Sequence, residues 1–180
     1  MGEALQKYAE RYTVADRETW KDSWELIHGF PYCMSPAPSY RHQDINAEII
    51  SELRTQLRAC EKCKAMMPID WQIDEETVVE PDVSVICKPV TGKKLLFAPT
   101  AIFEILSPST ERKDRTVKFE LYQAQRVKYY VLVDPENEKA ELFLLDEEGI
   151  YQAIPTSDTL HFDFEGCKAE LNMREIWARL

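Results

Sequence analysis

Residues 101–106 read Ala-Ile-Phe-Glu-Ile-Leu, an apolar run broken by one carboxylate. Apolar residues at consecutive rather than alternate positions mark a strand covered on both faces, which places it in the middle of a sheet with a layer packed on each side. Side chains alternate along a strand, so Glu104 shares a face with Ile102 and Leu106 while Phe103 and Ile105 point the other way. An ionised carboxylate in an apolar layer costs several kcal/mol if unpaired, or else its pKa rises. Glu104 therefore requires a cation, either a basic side chain or a metal ion.

The chain around this run is organised by pattern. Trp24-Glu25-Leu26-Ile27 and Phe30-Pro31-Tyr32 read as short strand pieces about a turn at Gly29, and the prolines of Ser35-Pro36-Ala37-Pro38-Ser39 force a loop. Ile45, Ile49, Leu53 and Leu57 recur every fourth residue, which predicts an amphipathic helix of about five turns packed on a sheet. Apolar runs at 66–73, 78–79 and 83–87 read as strands, with Thr91-Gly92-Lys93-Lys94 as a turn. Ser107-Pro108-Ser109-Thr110 stops the 101–106 strand and offers capping hydroxyls. A second helix over 111–126 follows, with Val117, Leu121 and Ala124 at helical spacing. Tyr129–Val133 and Ala140–Leu145 form a hairpin-like pair, residues 149–154 add a strand, and residues 173–180 close with a short helix. Residues 1–20 are polar and weakly patterned, a peripheral segment opening with some helix, and Thr13-Val14-Ala15-Asp16 can start another. The order gives an α/β class, an α+β mixed sheet flanked by helices, in one domain spanning 1–180.

Lys and Arg number 22 against 32 Asp and Glu, a net charge of −10 that excludes a general polyanion-coating role. No stretch approaches the roughly 20 apolar residues of a membrane span, and the first residues lack the apolar core of a secretory signal, so a cytoplasmic protein without membrane contact is expected. Five cysteines (Cys33, Cys60, Cys63, Cys87 and Cys167) in such a setting predict free thiols rather than disulfides. Cys60 and Cys63 have zinc spacing, but a zinc ribbon needs a second ligand pair, and only scattered cysteines and His28, His42 and His161 remain.

A second carboxylate, Asp82, opens the strand after Pro81, where a side chain is presented at a sheet end. If the strands either side of the Thr91-Gly92 turn are neighbours, Asp82 and Glu104 converge, and two such oxygens suit Mg²⁺ or Mn²⁺. On the second helix Asp114 and Lys118 are four apart and share a face; Lys118 borders the buried stripe and either snorkels to solvent or reaches the carboxylates. Residues 111–128 hold six basic and three acidic groups, +3 within a remainder of −13, and Arg112, Lys113 and Arg115 give this edge an affinity for phosphate.

The strings Glu80-Pro81-Asp82-Val83-Ser84-Val85, Phe103-Glu104-Ile105-Leu106-Ser107-Pro108-Ser109-Thr110, Arg112-Lys113-Asp114-Arg115, Lys118-Phe119-Glu120-Leu121-Tyr122 and Tyr129-Tyr130-Val131-Leu132-Val133-Asp134-Pro135 resemble the Uma-two family of putative restriction endonucleases, within the PD-(D/E)XK nuclease superfamily. Trp24–Gly29, Ser35–Ser39 and Arg41-His42-Gln43 resemble its N-terminal half, so the likeness covers roughly residues 20–178. The resemblance implies a restriction-endonuclease-like core with additional N-terminal strands, and implies Asp82 and Glu104 as the metal carboxylates. The superfamily's lysine would stand two residues after the second carboxylate, where this chain has Leu106; Lys118 is the matching position on the following helix. Glu48 and His42 on the first helix, with Asp114, are accessory candidates, set against an exposed helix acid and a helix-capping or cleft-lining histidine.

Three functions are carried forward. The first is a Mg²⁺-dependent endonuclease acting on DNA, with a homodimer as a plausible cutting unit. The second is a nuclease-fold scaffold or dimerisation protein without turnover, against which the retention of all three groups counts. The third, a hydrolase or transferase of a small phosphorylated molecule, lacks a phosphate-binding glycine-rich loop.

Overall fold

The computed structural model describes residues 10–34, 38–155 and 157–180. The helix expected at the very start and the Ser35–Ala37 part of the proline loop lie outside the described residues. The central feature is a six-stranded sheet in the order β10-β9-β8-β7-β6-β3. Its strands are β3 (Lys64–Met66), β6 (Val83–Ile86), β7 (Ala101–Ile105), β8 (Tyr129–Asp134), β9 (Lys139–Leu145) and β10 (Tyr151–Ile154). The apolar run at 101–105 is the central strand β7, buried at every position. It runs antiparallel to β6 and parallel to β8. A parallel neighbour needs a crossover connection, and residues 111–124 supply it as a helical segment.

The two faces of β7 feed two cores, as its alternation requires. Phe103 and Ile105 pack with Val83, Val85, Val131 and Val133 on one side. That side is covered by helix α2 (Tyr40–Gln56), whose Ile45, Ile49 and Leu53 are fully buried, and by a hairpin of β11 (Thr159–Phe164) and β12 (Cys167–Asn172) contributing Phe162 and Phe164. This hairpin is not among the elements expected from sequence, although Leu160, Phe162 and Phe164 alternate with polar residues as a half-buried strand does. Ile102 and Leu106 face the other core, with Leu121, Tyr122, Tyr130 and Trp71.

A second sheet of four strands, ordered β2-β1-β5-β4, lies over that other core; its strands are β1 (Trp24–Ile27), β2 (Phe30–Cys33), β4 (Trp71–Asp74) and β5 (Thr77–Val79). The β1–β2 hairpin turns through His28 and Gly29, both at positive φ (51° and 79°), and at Gly29 a side chain would also press on Arg11. Ahead of β1, a short helix α1 (Val14–Arg17) is closed by a capping box between Thr13 and Asp16. The chain ends in α5 (Met173–Trp177), capped by Asn172. No helix among the described residues is long and apolar enough to cross a membrane.

The crossover segment departs from a uniform helix. It starts as α3 (Glu111–Lys113), widens into a π-turn over Asp114–Lys118 and returns to α-geometry in α4 (Phe119–Ala124). The Ser107 and Thr110 hydroxyls bond to one another at 3.0 Å, and Thr110 makes no side-chain cap on the helix.

The expectation of free thiols holds for Cys33 alone. Cys60 pairs with Cys167 and Cys63 with Cys87 as disulfides, because the β11–β12 hairpin and the end of β6 come together beside the turn that follows α2. Ile49, fully buried between α2 and the sheet, tests this packing: Ile49→Ala should lower stability by about 2–5 kcal/mol in chemical unfolding, and a loss below about 1 kcal/mol would contradict the described core.

Candidate active site

Just before the first residue of β6 the register sets Asp82 beside Glu104, since Val83 lies opposite Phe103. Asp82 Oδ2 accepts the Ile105 backbone N–H at 2.8 Å and stands 3.2 Å from His42 Nε2. Asn46, one turn further along α2, donates to the Asp82 carbonyl at 3.3 Å. Thus the start of α2 holds the start of β6, which fixes Asp82 at the mouth of a cleft of about 780 Å³. Glu104, His42, Asp114, Lys118 and Arg112 line the same cleft.

Glu104 is 3 % exposed, and its Oε1 receives both Lys118 Nζ at 2.8 Å and the Tyr122 hydroxyl at 2.7 Å. Lys118 does not snorkel. It is equally buried, and its ammonium also touches Glu25 Oε1 at 2.8 Å and Asp114 Oδ1 at 3.7 Å. The π-turn carries both Asp114 and Lys118 on the inside of the crossover segment; such turns recur where a helix is locally re-aimed for function.

Two participants escaped the sequence reading. Glu25 comes from β1 in the other sheet, shares a face with Ile27 and is completely buried. It accepts from Lys118, Lys113 and the Glu80 backbone N–H. The available signal was its place in Trp-Glu-Leu-Ile, a run with both faces apolar, as around Glu104. Tyr122 stands four residues beyond Lys118 and extends the Asp114–Lys118 face by one step.

One lysine shared by three buried acids cannot balance all of them. Burial of Glu25 raises its pKa, but Lys118 and Lys113 together outweigh that and hold it below the usual value. Burial pushes Glu104 up to about 8: Lys118 opposes the rise, while Asp114, Asp82 and Glu25 add to it. Asp114 is likewise raised, first by burial, against the pull of Lys118 and Thr110. Lys118 itself, although burial disfavours its charge, is held well above its ordinary value by Glu104, Glu25 and Asp114. Burial lowers His42, but its bond to Asp82 more than compensates and leaves it raised.

A divalent cation fits this arrangement. The cleft holds more acid than its bases neutralise, and Asp114 Oδ1 is buried with no hydrogen-bond partner. Asp82 and Glu104, at facing register positions of neighbouring strands, present hard oxygen ligands.

Other sequence candidates fall elsewhere. Glu48 bonds Arg179 at 2.6 Å and is not among the residues lining the cleft. Lys113 is committed to Glu25 and lies over the Tyr32 ring, and Arg115 is held by Glu111 at 2.9 Å and Glu141 at 2.7 Å. The phosphate edge expected from three basic residues is therefore largely self-neutralised. Among the described residues of that trio, Arg112 alone lines the cleft without an acidic partner.

A family model described as putative restriction endonuclease, Uma2, matches residues 5–171. The chain belongs to the Uma2 family. Its fold is restriction-endonuclease-like: the crystal structure of a putative nuclease belonging to DUF820 from Anabaena variabilis superposes with a TM-score of 0.77 at 17 % identity, covering 93 % of this chain and 98 % of that one. An uncharacterized protein of Synechocystis, slr1290, is 39 % identical over 72 residues. That match spans 38 % of this Uma2 chain and 38 % of the relative's own length.

The raised acids give a pH signature. Between pH 4.5 and about 8, native Glu104 keeps a proton that the unfolded chain has released, so stability falls as pH climbs through this window. The stability that His42 gains from Asp82 is present below pH 6.5 and is also lost on the alkaline side. In metal-free protein, unfolding free energy should decline from pH 5 to 8, by no more than about 1.4 kcal/mol per pH unit for each group. Glu104→Gln should flatten that decline, and an unchanged slope would show that Glu104 does not titrate in this range.

Proposed function

We propose that this protein is a metal-dependent endonuclease that hydrolyses phosphodiester bonds of DNA at the Asp82–Glu104–Lys118 cleft. The observation that carries the reading is the buried Lys118 ammonium bonded to Glu104 beside Asp82, an amine and two acids from separate elements converging on one cleft. Asp82 and Glu104 would hold Mg²⁺ or Mn²⁺; when bound, the ion lowers the pKa of a water and offsets charge developing on the phosphate.

The chain's own residues divide the remaining work. Lys118, fixed by Glu25 and Glu104, keeps a full positive charge and steadies the attacking water or the scissile phosphate. Tyr122 holds the Glu104 carboxylate in one orientation through its hydroxyl. His42 and the Ile105 N–H fix Asp82. Arg112 at the cleft margin supplies a contact for the nucleic-acid backbone. The net charge of −10 implies weak, salt-sensitive DNA binding, or binding assisted by a second copy of the chain. The cytoplasm is the compartment in keeping with this substrate.

Plasmid cleavage in Mg²⁺ or Mn²⁺ tests the proposal. Asp82→Ala, Glu104→Gln and Lys118→Ala should each reduce the rate by about 10²-fold or more. Equal activity in all four proteins would assign the cleavage to a contaminant, and no cleavage by the native chain under any metal would favour the non-catalytic scaffold. Metal binding must displace the Glu104 proton, so Mn²⁺ affinity should rise with pH up to about 8 and titration near neutrality should release protons. A pH-independent affinity without proton release would place the ion elsewhere.

A further inference from the structure

Four of the five cysteines meet at the opposite end of α2 and β6 from the cleft. Cys60 and Cys63 flank the turn between α2 and β3, Cys87 directly follows β6, and Cys167 opens β12. The sulfurs of Cys60, Cys63 and Cys167 all lie within 4.8 Å of one another, and the Cys87 sulfur is joined to that of Cys63. The fold therefore provides what the sequence alone did not show, two lone cysteines brought onto a Cys-x-x-Cys pair.

Several features suit this group to a soft metal. The Cys63 backbone N–H donates to Cys60 Sγ at 3.3 Å, a bond that stabilises sulfur carrying negative charge. Cys63 is buried and the other three are half-buried against the main core, so the group is closed, as structural zinc sites are. Tetrahedral zinc with Zn–S of about 2.3 Å places its sulfurs about 3.8 Å apart, a separation inside the 4.8 Å that encloses the sulfurs of Cys60, Cys63 and Cys167, with Cys87 brought in beside Cys63.

We propose that the reduced protein binds one Zn²⁺ through the thiolates of Cys60, Cys63, Cys87 and Cys167, and that the two disulfides are the oxidised, metal-free form of the same site. The exchange balances with a small-molecule disulfide as oxidant. Two such molecules accept four electrons from the four thiolates, two S–S bonds form in the protein and two break in the oxidant, and four small thiolates and the zinc ion are released. In either form the cluster ties together the far ends of the two elements that position His42 and Asp82, along with the β11–β12 hairpin.

The full chain, reduced anaerobically and freed of metal, should be titrated with Zn²⁺ against a chromophoric chelator and, separately, with Co²⁺. One equivalent should bind. Co²⁺ should give the sulfur-to-metal charge-transfer and intense visible bands of a tetrahedral S₄ site, and bound zinc should protect four of the five thiols from alkylation. Cys63→Ser and Cys87→Ser should each weaken binding by at least about 10²-fold, whereas Cys33→Ser should leave it unchanged. Adding a small-molecule disulfide should eject the zinc and yield Cys60–Cys167 and Cys63–Cys87 by peptide mapping. Reduced wild-type protein that leaves the chelator fully metallated, with five alkylatable thiols, would overturn the proposal. So would an iron–sulfur chromophore in the isolated protein, or equal weakening by Cys33→Ser.

Discussion

The buried ammonium of Lys118 is the interaction on which the arrangement of this molecule turns. It touches a carboxylate from each of three sources: Glu25 on the outer sheet, Glu104 on the central strand and Asp114 on its own segment. Each acid alone would be costly where it stands, because burial strips the water that an ionised carboxylate needs. Together they hold a lysine charged in a place where lysines usually lose their proton, and the lysine in turn draws the two sheets and the crossover segment to one point. The charges do not cancel, since Glu25 takes the larger share of the available cations and Glu104 and Asp114 are left under-compensated. That excess of acid over base, met by a proton on Glu104 in the metal-free protein, is the physical ground for reading a divalent-ion site there.

The fold supplies this cluster economically. A parallel β7–β8 pair demands a crossover, and the crossover runs directly over the face on which Glu104 projects. The π-turn sets Asp114 and Lys118 inward without breaking the helix, and α4 buries Leu121 and Tyr122 beside Glu104. On the opposite face α2 lies between the two sites, its start holding Asp82 and its end adjoining the four cysteines.

Much of this was legible in the sequence because the physics was local. The doubly apolar run at 101–106 marked the central strand, and a four-residue repeat from Ile45 to Leu53 marked α2. Glu104 stood out as a charge where none should be. Asp82 and Lys118 gained meaning from the family resemblance, in which Lys118 is the counterpart of a lysine whose usual position this chain fills with Leu106. What stayed hidden depends on contacts between distant segments. Glu25 is 79 residues from Glu104 in sequence, and nothing within Trp-Glu-Leu-Ile states which face will be covered, or by what. The Cys60–Cys63 pair looked incomplete because its partners arrive from 24 and 107 residues away. The basic run after Thr110 promised a phosphate-binding edge, yet Lys113 and Arg115 are spent on Glu25, Glu111 and Glu141, of which only Glu111, four residues before Arg115, is assignable from spacing.

The most direct measurement of the central claim is anomalous diffraction from crystals equilibrated with Mn²⁺. The account predicts a manganese peak within bonding distance of carboxylate oxygens of both Asp82 and Glu104, with the Lys118 amine retained alongside. A well-occupied peak bound elsewhere, or an unchanged Lys118–Glu104 pair with no manganese at saturating concentration, would contradict it.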